Sequence, residues 1–252
     1  MNNVKILDKY LVYQPKVDLN TSEIIGLEAL IRFIDTKSLK MLDTETVINS
    51  IESIEEMIVL TNDVLNMVIS DMIKLDNLNY KVNISINMSS KEICNINLYS
   101  WIEKNFKEYK RYINRIEIEI TEKYEIKDRE IMRERIYLLK KLGFTVSIDD
   151  LGSGFNQRDT IEDYNVDLVK IDKSMVRDFN NKKEELEHIV DISKEKNIKL
   201  LVEGIESEED LKRFLDLGVE FGQGYYFYKA MKLEELIETI NLLNDRKIKI
   251  YK

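Results

Sequence analysis

The sequence predicts an α/β barrel whose opening strand runs against the others, and three observations lead there. Strand-like runs at 10–15, 23–33, 81–88, 115–121, 144–149, 167–172, 198–203 and 223–228 alternate with helical patterns; alternation of this kind implies parallel pairing. Only about seven residues, with Asn20 and Ser22 among them, join the first two runs, too few for a crossover helix, so these two should pair antiparallel. Acidic groups and one lysine recur where the runs end, and a barrel gathers its strand ends into one mouth.

The opening run includes Tyr13 and Gln14. The second, IIGLEALIRF, holds Glu28 and, four residues on along the same face, Arg32. Residues 34–62 carry no readable pattern. Val64, Leu65, Val68, Met72 and Leu75 then follow the stripe of a helix. The third run closes on Asn87, and the fourth, RIEIEITE, contains Glu119 and Glu122. Asp128 is placed to cap the next helix and Gly143 to end it. FTVSIDD ends in Asp149 and Asp150, DLVKID ends in Lys170 and Asp172, and IKLLV leads into Glu203. Ser207 with Asp210 resembles a capping box for a helix that Gly218 would stop. The last run begins at Gln223, and the charged tail NDRKIKIYK reads as a short final strand or a frayed end. No stretch rich in Pro, Gly or Ser interrupts the chain, so residues 1–252 are expected to form a single domain.

At 252 residues and 44% apolar, the chain can bury the core of one barrel. A net charge of −9 and a pI near 5.0 argue against a grip on polymeric nucleic acid, which needs a basic face. A small nucleotide held through metal stays compatible with that charge. The single Cys94 precludes an internal disulfide and a cysteine zinc site. The single His188 precludes histidine pairs on a metal and most histidine-based nucleophile machinery. Neither a signal peptide nor an apolar span of membrane length is legible, so a cytoplasmic protein away from the membrane is expected.

Glu28, Asn87, Glu119 and Asp149 offer hard oxygen donors, which suit magnesium or manganese rather than zinc or copper. Carboxylates confined to one mouth need cations to stay ionised together. Neighbours on a strand point to opposite faces. For Asp149 and Asp150 both to reach one site the chain must turn, and Gly152 and Gly154 are expected to turn it. A solvated turn is the other reading of that segment. Lys170 and Asp172 share a strand face, either as a structural ion pair or as a cation for phosphate or a metal-bound water. Glu203 can serve such a water as general base. A helix N-terminal acid is the alternative, and it suits Glu206 better. Arg32 can clamp a phosphate or form a surface salt bridge. Gln223, between glycines, can contact a base edge or a ribose, though a lone Gln says little.

YQPKVDL, GLEALIR, SINMS, EITE, DDLGSG, VKID, VEGIE and GQGY, in this order, together resemble the EAL domain, the bacterial cyclic di-GMP phosphodiesterase family. The likeness runs from Tyr13 to about Tyr228. It implies a TIM-type (β/α)8 barrel with a reversed, antiparallel first strand, often as a homodimer. It also implies two divalent cations, Mg2+ or Mn2+. Glu28, Asn87, Glu119 and Asp149 would hold one, and Asp149, Asp150 and Glu203 the second. Lys170 would hold the attacking water or a phosphate oxygen, with Asp172 as a supporting acid, and Glu203 would be the base. Gln14 and Arg32 would face phosphate and substrate, and Gln223 a guanine or ribose. Glu122 and Glu206 would steady the loop after Asp150. The implied reaction is in-line attack of metal-activated hydroxide on one phosphodiester of cyclic di-GMP, giving linear pGpG. The loop reads DDLGSGFNQR where the family usually reads DDFGTGYSSL. A cyclic di-GMP receptor or protein-interaction module with weak or no turnover is the alternative that this departure keeps open.

Overall fold

The computed structural model describes residues 7–95, 97–121, 128–152, 161 and 163–245. Nine strands lie in it: β1 (Asp8–Asp18), β2 (Ile24–Ile34), β3 (Met41–Leu42), β4 (Ile84–Ser89), β5 (Ile116–Thr121), β6 (Thr145–Leu151), β7 (Leu168–Ile171), β8 (Lys199–Glu203) and β9 (Phe221–Gln223). From β2 through β4 to β9 each neighbour pairs in parallel. β1 closes the ring by pairing antiparallel with both β2 and β9. The result is a TIM-type barrel of eight strands with a reversed first strand. The ninth, β3, hooks onto the far end of β2 as a hairpin.

Alternation along the strands separates two environments. Ile84, Ile86, Ile116, Ile118, Val146, Ile148, Val169, Ile171, Leu200 and Val202 join the main apolar core. On β4 to β7 the positions between them are polar, Ser85 and Asn87, Glu117 and Glu119, Ser147 and Asp149, then Lys170, whereas β8 places the buried Leu201 there. Side chains on alternate positions share a face, so the strands that carry a greasy outer face line the barrel with charge. A barrel interior is ordinarily filled by branched apolar residues, and this one departs from that.

The helices sit where the caps place them. Ile54–Asn77 buries Leu65, Val68, Met72 and Leu75, with Val64 partly buried beside them. Asp128 accepts from the backbone N–H groups of Glu130 and Ile131, and Gly143 ends that helix at φ 111°. Ser207 and Asp210 form a reciprocal capping box, and Gly218 ends the helix at φ 84°. The stretch 34–62 resolves into the β2–β3 hairpin, a short helix Thr44–Asn49 capped by Asp43, and the start of the helix capped by Ser53. Its apolar residues Val47, Ile51, Met57 and Leu60 gather with Leu7 and Phe33 in a separate small cluster. That local core, rather than any periodicity, organises the segment.

The last run departs from expectation. Only Phe221–Gln223 is strand. Beyond it the chain turns, with the N–H groups of Phe227 and Tyr228 donating to the Gly224 carbonyl. A final helix, Leu233–Asp245, follows, and the charged tail beyond it lies outside the described residues. Among the described residues no helix is long and apolar enough to cross a membrane.

Candidate active site

Lys170 organises the mouth. It is 1% exposed, and its ammonium lies 2.6 Å from Glu203, 2.8 Å from Asp149, 3.1 Å from Glu119 and 3.8 Å from Glu28. Those carboxylates come from β8, β6, β5 and β2. Burial works against the lysine's charge, yet Asp149, Glu119, Glu203 and Glu28 together hold it protonated well above the ordinary range. The alternative of an ion pair with Asp172 gives way to this ring. Asp172 follows β7 and caps the helix Lys173–Arg177, accepting from the Ser174 N–H at 2.9 Å.

Glu28 sits in the middle of its strand, not at the end of it. β4 pairs with β2 only as far as Ala29. Beyond that point β2 leaves the barrel and runs on with β1 and β3. The barrel's rim therefore falls at Glu28 although the strand continues. Asn87 donates to one Glu28 oxygen at 3.1 Å and Gln223 to the other at 2.7 Å. The Gln223 Oε1 is buried and has no hydrogen-bond partner among the described residues. Asn87 itself is open to solvent at the mouth.

Asp149 and Asp150 do reach one region, by a route different from the expected one. The β6–β7 ladder is irregular between Ile148 and Leu151, and Asp150 adopts a left-handed φ of 54°. Asp tolerates that conformation better than most residues. A bulge of this kind re-aims the side chains it contains. Gly152 also has positive φ, 96°, but the bend begins two residues before it; Gly154 lies outside the described residues. One carboxylate oxygen from each of Asp149, Asp150 and Glu203 lies within 4.8 Å of the others. All are hard donors, a set that fits magnesium or manganese.

The electrostatics carry strain that cations would relieve. Burial, then Asp149 and Glu28, push the Glu203 carboxyl up to about 8 against the pull of Lys170. Burial and the neighbouring Asp149 lift Asp150 to about 7, and the nearby Asp172 carboxyl adds to it. Glu28 and Asp149 are raised too, chiefly by burial. Glu119 goes the other way: burial opposes its charge, but Lys16 and Lys170 bring it down to about 2.

Lys16 and Glu117 were not legible as parts of this site. Lys16 donates to Glu119 at 2.7 Å and to Glu117 at 3.1 Å. The available signal was spacing: Lys16 is two residues from Gln14 and Glu117 two from Glu119, so each shares its neighbour's face.

The remaining expected residues divide. Gln14 stands opposite Glu28 across β1–β2 and donates to the Tyr228 carbonyl at 3.1 Å. Arg32 shares the Glu28 face but sits roughly 13 Å farther along at strand rise; its guanidinium donates to the Ile31 carbonyl at 2.8 Å. Glu206 is exposed beside the Ser207 cap. Glu122, and the loop it was expected to steady from Ser153 to Arg158, lie outside the described residues.

One glycine joins two motifs here. Ile205 donates to the Gln223 carbonyl at 3.2 Å and accepts from the Tyr226 N–H at 3.0 Å. A Cβ on Gly224 would stand 2.1 Å from the Ile205 oxygen. The VEGIE and GQGY segments can pack backbone on backbone only without that side chain.

A closed barrel with a reversed first strand and an acid-ringed lysine at its mouth defines a TIM-type barrel protein with a carboxylate cluster that could hold divalent cations. The chain belongs to the EAL domain family, whose pattern matches residues 7–230. It is similar to the probable cyclic di-GMP phosphodiesterase PdeB of Escherichia coli K12, 28% identical over 225 residues that cover 89% of this chain and 43% of that protein. The chain thus spans less than half the length of that relative. Among solved structures it is similar to the EAL enzyme Bd1971 in its form bound to cAMP and cyclic di-GMP, with a TM-score of 0.82 and 26% identity over 92% of this chain and 64% of that one. It is also similar to a standalone EAL protein of Vibrio cholerae O395 bound to cyclic di-GMP, with a TM-score of 0.74 and 26% identity, covering 90% of this chain and 94% of that one.

Proposed function

We propose that the chain hydrolyses one phosphodiester bond of cyclic di-GMP, opening it to linear pGpG, with two divalent cations, magnesium or manganese, at the mouth. The observation that carries this reading is the ring of four carboxylates, from four strands, around Lys170. Lys16 and Lys170 pair with five carboxylates (Glu28, Glu117, Glu119, Asp149 and Glu203), and Asp150 lies beside Asp149 and Glu203, a concentration of acid that divalent cations would offset. Asp149, Asp150 and Glu203 would hold one cation; Glu28, Asn87, Glu119 and the shared Asp149 would hold the other. When bound, such a pair supplies an activated water and steadies the leaving oxygen.

The chain's own groups do the rest. Glu203, at the rim of the cluster, accepts the proton of the attacking water. Lys170 holds that water or a phosphoryl oxygen as a compact cation. Arg32 and Gln14 orient the phosphate, and Gln223 lies toward a guanine or ribose. Asp172 supports Asp150, while Glu122 and Glu206 would steady the loop after Asp150. A single domain acting in the bacterial cytoplasm as a homodimer completes the reading. The description of PdeB and the ligand in the Bd1971 structure support the substrate.

Incubation of the purified protein with cyclic di-GMP and Mn2+, with chromatography of the products, tests it. The expected result is pGpG in the loaded sample and none in a chelator control. Intact substrate at full Mn2+ loading overturns hydrolysis; bound but uncleaved nucleotide would mark a receptor instead.

A further inference from the structure

β1 runs against its neighbours, so residues after Gln14 descend into the barrel while residues after Glu28 on β2 rise out of it. Lys16 therefore lies beneath the mouth, buried, opposite Gly26. The ladder is irregular between Lys16 and Val17, as at a bulge that re-aims a strand. The Lys16 ammonium reaches Glu119 Oε1 at 2.7 Å and Glu117 Oε1 at 3.1 Å. Glu117 in turn accepts from the Ser147 hydroxyl at 2.7 Å. The other Glu119 oxygen accepts from Lys170 at 3.1 Å.

The two lysines have different tasks. Lys170 divides its charge among four carboxylates at the mouth. Lys16 stands outside that ring, and its acidic partners are Glu117 and Glu119. Glu119 is fully buried, and a buried carboxylate keeps its charge and direction only where a cation and hydrogen bonds meet it. Lys16 can supply this from below whatever occupies the mouth.

We propose that Lys16 is a positioning residue: anchored through Glu117 and Ser147, it holds the Glu119 carboxylate aimed at the cation site to which Glu119 contributes. This rests on the two-cation reading above. The test is Mn2+ binding without substrate, followed by the electron paramagnetic resonance signal of free Mn2+, for the parent, Lys16→Met and the double variant Lys16→Met/Glu117→Gln. In Lys16→Met one of two sites should weaken by about tenfold to a hundredfold, the usual effect of losing a residue that orients a ligand. The site built on Asp149, Asp150 and Glu203 should keep its affinity. The double variant removes the stranded Glu117 charge, so its thermal midpoint should recover while the weakened site stays weak. In turnover, kcat should fall with KM for cyclic di-GMP little changed.

Parent affinity at both sites in the double variant would overturn the proposal, since Lys16 would then serve only to neutralise Glu117. Tighter Mn2+ binding in either variant would overturn it as well. If Lys16→Met fails to fold, the double variant carries the same comparison. A parent that binds two Mn2+ ions yet leaves cyclic di-GMP intact overturns hydrolysis alone and leaves the Lys16 comparison in force. A parent that binds no Mn2+ overturns both.

Discussion

The Lys170 ammonium lies 2.6 Å from the Glu203 carboxylate, the shortest contact in a ring that also takes in Asp149, Glu119 and Glu28. One buried cation thus offsets part of the repulsion among these carboxylates. Lys170→Met should leave them without that charge. In chelator the variant should lose about 3 kcal/mol of stability or more, the usual cost of removing one partner from a buried ionic cluster. Mn2+ should recover much of that loss, and hydrolysis should stay low. Denaturation with and without Mn2+ measures both; a variant as stable as the parent in chelator would show that the ring contributes nothing to folding.

Asp149 stands in both proposed donor sets, and Glu203 combines a ligand's role with a base's. Asp149→Asn should abolish detectable hydrolysis and weaken Mn2+ binding. Glu203→Gln keeps the side chain's shape and loses the basic oxygen, so kcat should fall by about a hundredfold or more while cyclic di-GMP still binds. Steady-state kinetics beside a binding isotherm separate the two effects. Near-parental turnover in either variant would place the chemistry elsewhere.

Much of this site was legible because barrel geometry turns strand ends into neighbours. Glu28, Asp149, Lys170 and Glu203 are far apart in the chain, yet alternation and strand order brought them to one mouth. What escaped depended on local backbone that pattern does not encode. The bend at Asp149 and Asp150 is expected from the glycines, whereas Asp150 itself takes the left-handed conformation where the β6–β7 ladder is irregular. Lys16 escaped because up and down are exchanged on a reversed strand, so a residue past Gln14 goes deeper. Run 223–228 looked extended because its aromatics favour strands, but Gly224 must lie against Ile205, and the chain turns there.

In the cation-free protein, the Glu203 carboxyl at about 8 and the Asp150 carboxyl at about 7 both lie above their ordinary values of 4.5 and 3.8. The fold therefore holds these protons more tightly than the unfolded chain does. Stability should fall as pH rises from the unfolded values toward the folded ones. Glu119, depressed to about 2, acts in the opposite sense, and its contribution is lost only as pH drops from about 4.5 toward 2. In chelator the melting temperature should thus decline from pH 5 to pH 8. Cations bind the ionised carboxylates, so the upward shift produced by Mn2+ should grow over the same interval. Melting curves at four pH values, with chelator or Mn2+, decide the matter. A flat or rising chelator profile would mean these carboxyls are not raised in the fold.

Gly224→Ala tests the backbone contact that sets Gln223 beside Glu28. The added Cβ would come 2.1 Å from the Ile205 oxygen and 2.4 Å from its nitrogen. Both are main-chain atoms held by hydrogen bonds to Gln223 and Tyr226, so they cannot rotate aside as a flexible side chain would. The turn must shift, and overpacking of this kind costs about 1–3 kcal/mol. Gln223 would move with it and loosen its 2.7 Å bond to Glu28, so hydrolysis should drop along with stability. Gly26→Ala is the matched control: its nearest contact would be the Asn83 carbonyl at 3.4 Å, an ordinary separation. That variant should stay close to the parent. If chemical denaturation finds Gly224→Ala as stable and as active as Gly26→Ala, the close approach of these two segments is not what holds Gln223 in place.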